Sequence, residues 1–515
     1  MNGAEMIVRT ARSAGVQVCF ANAGTTELPL VLALQAEPGI KPVLGLFEGV
    51  CTGAADGFGR MTGKPAMTLL HLGPGFANGV ANLHNARRAR SPILNLIGDH
   101  TSGIVGLDPP LAMDIEALAG TVSGWFRSCR APGELSQNVA EAYGASLYGQ
   151  IATLSVPSDY QQAQTDNEAV AVPQFAFDPL DKPSIERACR HMTSGRNVAL
   201  ILGGRALRQD GLRVAARIRA FSGCDLLTEN LPPYMDRGAG LPEVARVPYF
   251  PEQAMELLSR YQAVVIAGTR EPVSFFGYPG IRANLFSKDQ PRLFIAGSRQ
   301  DPVEALECLA DLLNASKDFD RKVLSELRHP HPARGELTAE KTCQTLAACL
   351  PEDAILVDEG ISSAFSYYGL SHGLTPHSYL TIAGGSIGYG MPCSTGAALA
   401  CPDRQVINLE ADGSAMYTVQ ALWTQARQHL NVTTLLCANS SYNILKVELE
   451  RFGVKSFGPN LSALVDIENP SLNWVKMAEA MGVQGVSVNT AEQLAAEIGE
   501  SFSQTGPRLI EMVLH

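Results

Sequence analysis

The stretch from Gln405 to Leu445 constrains this chain most, because its pattern is compatible with few local folds. Gln405 to Leu409 is a short apolar run, and Ala411-Asp412-Gly413-Ser414 is a tight acidic turn. Thr418 to His429 has helical periodicity, and Thr433 to Cys437 is a second apolar run that ends at Asn439. The order predicts a βαβ unit with parallel strands. Its crossover brings both strand ends to one edge of the sheet, where open α/β sheets bind ligands. Asp412 and Asn439, 27 residues apart, then meet at one rim. A carboxylate, an amide oxygen and a backbone carbonyl near Ser441 form a hard oxygen site, suited to Mg²⁺ that keeps positions for a diphosphate. The competing reading is local: D-G-S is an ordinary β-turn and Asn439 a loop residue.

The remainder of the chain repeats this rhythm. At 515 residues it exceeds one core, and three or so domains are expected. An N-terminal α/β domain over 1–165 holds the helix Gly3 to Ala14 and strands at Val16 to Phe20, Val43 to Leu46, Ala66 to Leu70 and Ile93 to Gly98. After the Pro-punctuated stretch Val172 to Pro183, a central α/β domain spans 184–320, with runs at 198–204, 225–228 and 263–268. His329-Pro330-His331-Pro332 reads as a second linker, since no further ligands stand at zinc spacing. A C-terminal α/β domain covers 335–515, with a helix start at Thr338. Gly203-Gly204 follows a strand, but G-x-G-x-x-G is incomplete, so neither NAD nor FAD is expected there.

Charge and cysteine usage narrow the partners. The net charge of −11, from 40 basic and 51 acidic residues, argues against nucleic acid or an anionic membrane. Eleven Cys with no C-x-x-C pair read as reduced thiols of a cytosolic protein. No run reaches 18 apolar residues, and the N-terminus lacks a basic segment before a long apolar core. Neither a membrane span nor a signal peptide is expected, and the expected location is cytoplasmic.

Three separated motifs then resemble those of thiamine diphosphate (ThDP) enzymes, in the order that family shows. The acidic turn and Asn439 resemble its diphosphate motif, usually G-D-G followed about two dozen residues later by N-N. Here Ala411 and Ala438 replace the first residue of each half. The resemblance implies three α/β domains, of which the first binds the pyrimidine and the last the diphosphate. It makes Asp412, Asn439 and Ser441 the Mg²⁺ ligands. Gly413, Ser414, Tyr417, Tyr442, Asn443 and Ile444, with Ile361 and Ser362 of D-E-G-I-S-S, would line the cofactor. Gly385, Ser386 and Ile387 of G-G-S-I-G-Y-G-M-P would support it, Ile387 as the apolar wedge that bends it. Read alone, that segment is a glycine-rich turn with Ile387 in the core.

The remaining motif is Glu48, ahead of a small-residue helix. In the family an acid in this position contacts N1′ of the aminopyrimidine and promotes formation of the C2 ylid; read alone, it is a helix-start acid favoured by the dipole. A-N-A-G-T-T-E-L-P and H-L-G-P-G look most like the acetolactate synthase and benzoylformate decarboxylase branch. There Thr25 matches a substrate-facing hydroxyl and His71 a proton-handling histidine, a structural His71 being the alternative. Phe275 or Phe276 stands where a second decarboxylase histidine is expected, and Gly98-Asp99-His100 departs from the usual G-Q. The resemblance implies a ThDP- and Mg²⁺-dependent enzyme that decarboxylates a 2-oxo acid through an ylid and enamine, with carboligation, acetolactate synthase-like. Benzoylformate-type decarboxylation and a non-catalytic or regulatory relative are the alternatives. It also implies a homodimer or homotetramer with active sites at the subunit interface.

Overall fold

The computed structural model describes residues 1–165 and 170–514. They form two compact units: Met1–Phe175 with His331–Tyr367 and Ile382–His515, and Ala176–Pro330 with Tyr368–Thr381.

The first unit contains a sheet of β1 (Val18–Asn22), β2 (Lys41–Leu44), β3 (Ala66–His71), β4 (Ile93–Asp99), β5 (Trp125–Ser128) and β6 (Ile151–Pro157). Its order is β2-β1-β3-β4-β6-β5, parallel throughout. Inner strands such as β4 and β6 are buried on both faces, because helices cover both sides of the sheet, and so they read as unbroken apolar runs. The helix Gly3–Ala14 starts at a capping box between Asn2 and Glu5 and stops at Gly15, whose φ of 109° an L side chain resists.

The same unit holds β13 (Ile355–Glu359), β15 (Val406–Ala411), β16 (Val432–Ala438), β17 (Gln484–Val488) and β18 (Arg508–Val513), ordered β17-β18-β16-β15-β13 and parallel. Thr338 caps the helix Ala339–Cys349, as read from the sequence, by accepting from the Lys341 N–H.

Two helices join these sheets, Glu48–Thr62 (the Glu48 helix) and Gly390–Ala400 (the Gly390 helix). Their small residues put backbone against backbone. A Cβ on Gly57 would stand 2.1 Å from the Cys393 carbonyl oxygen, and one on Gly396 would stand 1.8 Å from that of Ala54. Beside this crossing Arg60 is buried, paired to Asp56 at 2.5 Å, and it donates to the Tyr389 hydroxyl at 2.8 Å. Val50 joins Met391, Ala415, Leu422, Leu436 and Trp474 in one apolar cluster.

The second unit carries β7 (Val198–Leu202), β8 (Asp225–Thr228), β10 (Ala245–Arg246), β11 (Ala263–Ala267) and β12 (Arg292–Ala296), ordered β10-β8-β7-β11-β12 and parallel. In this unit β9 (Tyr234–Arg237) pairs antiparallel with β14 (His377–Thr381). Phe275 and Phe276 stand exposed there, in contact with each other and with the Tyr249 ring. Among the described residues, no helix is long and apolar enough to cross a membrane.

Candidate active site

β15 and β16 run in parallel register with Ala411 opposite Cys437, so the turns after them share an edge. Asp412 opens a short helix, Asp412–Ala415, and is 3% exposed. Its Oδ1 accepts from the Gly413 N–H at 2.8 Å and its Oδ2 from the Ser440 N–H at 2.7 Å. Burial pushes its carboxyl up to about 6, against the opposite pull of those N–H groups. Among the described residues no lysine or arginine is paired with it. Asn439 Oδ1 accepts from the Ser441 N–H at 3.0 Å, which turns the amide oxygen toward the same turn. Between them Ser440 holds a φ of 53°, a strained value of the kind that clusters at ligand sites.

Around this pair stand the other residues singled out in the sequence. Tyr442 lies over Gly413, where a Cβ would come within 2.5 Å of the ring, and it hydrogen-bonds with the exposed Tyr417. Asn443 donates to Ser362 Oγ at 3.2 Å, beside Ile361 with its φ of 49°. Asn443 and Ile444 begin the helix Asn443–Arg451, which has no side-chain cap, so its first N–H groups are open to an anion.

The glycine-rich loop before the Gly390 helix is clamped by the helix Leu72–Ala89. Asn85 forms a two-way pair with Ser386, accepting its N–H at 3.1 Å and donating to its carbonyl at 2.7 Å. His84 donates to the Gly384 carbonyl at 3.1 Å, and Asn82 to the carbonyls of Gly388 at 3.0 Å and Gly49 at 2.9 Å. Gly385 and Gly388 take φ values of 74° and 90°, which only glycine adopts without strain. Ile387 is thus carried, half-buried, on a loop fixed on both sides.

Glu48 opens its helix half-buried, and Asn78 donates to its Oε2 at 3.0 Å. His71 ends β3. Its Nδ1 lies 2.8 Å from Glu27 Oε2 and 3.1 Å from Thr26 Oγ1, and Glu27 is fully buried. Glu27 also accepts from the Gly24 N–H at 2.7 Å and from the Thr26 hydroxyl at 2.5 Å. A Cβ on Gly24 would meet the imidazole at 2.4 Å, and one on Gly98 would meet Glu27 Oε1 at 1.9 Å. With Glu27 on Nδ1, the other ring nitrogen is left for a ligand. The hydroxyl beside His71 is therefore that of Thr26. Thr25 lines an open groove of about 690 Å³ with Leu28, Pro29 and Leu32.

Comparison with known proteins decides the family. Residues 1–118 match the model of the thiamine pyrophosphate enzyme N-terminal TPP-binding domain, and residues 363–512 that of the C-terminal TPP-binding domain. IlvX of Mycobacterium tuberculosis, which its name assigns provisionally to the acetolactate synthase large subunits, is 43% identical over 100% of this chain and 99% of its own. The chain belongs to the thiamine pyrophosphate enzymes. Benzoylformate decarboxylase of Pseudomonas aeruginosa is 27% identical over 97% of this chain and 96% of its own. The ThDP-dependent 4-hydroxybenzoylformate decarboxylase of Rhodococcus jostii RHA1 has the same fold, with a TM-score of 0.86, 24% identity, and 100% and 99% of the two chains covered.

The residues present fit the cofactor of this family. A buried carboxylate without a counter-ion among the described residues, with the neutral oxygens of Asn439 and Ser441 nearby, fits a hard divalent cation. The uncapped helix at Asn443 and the Ser362 hydroxyl fit a diphosphate. Glu27, Asn78, Asn82 and Asn85 were not singled out in the sequence. Glu27 sat inside the quoted motif A-N-A-G-T-T-E-L-P, where a buried partner for His71 could have been sought, and Asn78 inside H-L-G-P-G-F-A-N-G.

Proposed function

We propose that this protein is a ThDP- and Mg²⁺-dependent enzyme that decarboxylates a 2-oxo acid and transfers the remaining fragment to a carbonyl acceptor, in the manner of acetolactate synthase. The observation that carries the reading is the buried Asp412 carboxylate, without a cationic partner among the described residues and hydrogen-bonded to the turn that contains Asn439 and Ser441. Asp412, Asn439 and Ser441 would hold the cation, and Ser362, Ser414 and Asn443 would line the diphosphate. Gly385, Ser386 and Gly413 would let backbone approach the cofactor, with Tyr417, Tyr442, Ile361 and Ile444 beside it.

When bound, ThDP supplies an electron sink that accepts the pair released with CO₂. The chain's own residues do the rest. Ile387 presses an apolar side chain from a clamped loop. Glu48 holds a proton toward the pyrimidine ring, and Asn78 fixes one of its oxygens so that the other keeps its direction. His71, tethered through Nδ1 to Glu27, delivers or takes a proton at its free nitrogen. That tether favours the second reading, a benzoylformate-type decarboxylase in which a proton ends the cycle.

A second copy of the chain would complete the site. Leu28, Val31, Leu32, Leu44 and Leu46 stand exposed in the N-terminal segment of the chain, and Leu32 is 70% exposed. Apolar residues in that number are normally covered, so a homodimer, or a homotetramer built from it, is proposed. The eleven free cysteines, none of them fully exposed, accord with the cytoplasm.

The test is calorimetry with ThDP and Mg²⁺, followed by CO₂ release across a panel of 2-oxo acids with and without an acceptor. Absence of cofactor binding would leave the non-catalytic relative. Release that does not depend on an acceptor would favour the decarboxylase.

A further inference from the structure

Glu359 closes β13 at 1% exposure, and its carboxylate takes three main-chain N–H groups from a single turn. Oε1 accepts from Gly388 and Oε2 from Tyr389, both at 2.8 Å, and Oε2 also accepts from Gly390. Those N–H groups open the Gly390 helix, whose N-cap residue, Tyr389, offers no side-chain cap. An acid from a neighbouring strand thus replaces the local cap.

Glu410 stands behind it, fully buried on β15 and opposite Glu359 in the parallel register. Asn408 donates to Glu410 Oε2 at 2.9 Å. Both side chains pack tightly against the turn: a Cβ on Gly390 would stand 2.2 Å from Glu410 Oε2 and 2.6 Å from Asn408 Oδ1.

The pair joins three loops. β13 runs into Ile361 and Ser362, β15 runs into Asp412, and the capped turn follows Ile387. We propose that Glu359 is a positioning residue that fixes the Gly384–Gly390 turn against the strands leading to the diphosphate side. The proposal rests on the ThDP reading of the site. A glutamine at 359 keeps one acceptor oxygen and points an NH₂ at N–H groups that need an acceptor.

The experiment is amide hydrogen exchange on the full-length protein without cofactor, and ThDP calorimetry with Mg²⁺ present, for wild type, Glu359→Gln and Glu359→Asp. In Glu359→Gln, amides over 388–391 are expected to exchange at least tenfold faster and ThDP affinity to fall at least tenfold. Glu359→Asp keeps both acceptor oxygens but holds them one methylene short of the turn, so it should lie between wild type and Glu359→Gln on both readouts. Unchanged exchange and affinity in Glu359→Gln overturn the proposal. If Glu359→Gln does not fold, Glu359→Asp decides, and wild-type exchange and affinity there overturn the proposal. If wild type binds no ThDP, the cofactor reading fails, and exchange alone decides whether Glu359 holds the turn.

Discussion

The N-terminal and C-terminal sheets of the first unit share a strand order, β1-β3-β4-β6-β5 against β13-β15-β16-β18-β17. Each is also associated with a helix that begins beside a glutamate, and the two acids sit in opposite circumstances. Glu48 is half-buried and receives one side-chain donor, from Asn78. Glu359 is buried and receives three backbone donors. A carboxylate has about four acceptor sites. Filling most of them makes a structural clamp, while leaving most open keeps a group that can exchange a proton. The number of donors supplied, more than the residue type, separates the two roles.

Glu48→Gln tests the contrast most severely. Turnover is expected to fall about 10²-fold or more, while the melting temperature and ThDP affinity stay near wild type. A variant that unfolds, or one that stays fully active, would erase the distinction from Glu359. Next in size is the crossing that joins the two sheets. Gly396→Ala forces a Cβ onto the Ala54 carbonyl and should lose about 2–3 kcal/mol in denaturant unfolding. Gly103→Ala, with nothing within 4 Å of its Cβ, is the neutral control.

His71→Ala should lower turnover about tenfold to a hundredfold. Glu27→Gln should lower it less, because glutamine keeps one acceptor oxygen for the imidazole Nδ1. Equal rates across that series would assign His71 to structure alone. The smallest effect belongs to Glu37, at the end of the helix Leu28–Ala36. Arg12 and Arg9 beside it, at 2.8 and 2.9 Å, hold its carboxyl below the usual carboxylate range. Its folded pKa lies below the unfolded one. The stabilisation is therefore complete above the unfolded value and is lost as pH falls through the folded one. Glu37→Gln should melt lower than wild type at neutral pH by on the order of 1 °C, and the difference should close in acid.

Several elements were legible because their causes are local. The helix Gly3–Ala14, the Thr338 cap and the runs V-A-L-I-L and A-V-V-I-A appear where the sequence places them. Strand limits moved: Val16 to Phe20 became Val18–Asn22, and Val43 to Leu46 became Lys41–Leu44. Parallel register with the neighbouring strands, not composition, sets where pairing begins and ends. The segment Thr418 to His429 forms a helix only over Ala421–Arg427, and His429 leaves it at a φ of 52°. The acidic tight turn is the first turn of a short helix, Asp412–Ala415.

The sequence by itself determined the αβ alternation, the pairing of Asp412 with the Asn439 turn, and the glycines that let two helices touch, since each follows from periodicity or from the size of a side chain. Only the tertiary structure decided that Glu27 holds His71, that Asn85 pairs with Ser386, and that Glu359 caps a helix not its own. These are ordinary polar residues whose roles come from partners 44, 301 and about 30 positions away. A hydrogen bond is set by distance and direction in space, and no local pattern along the chain encodes either.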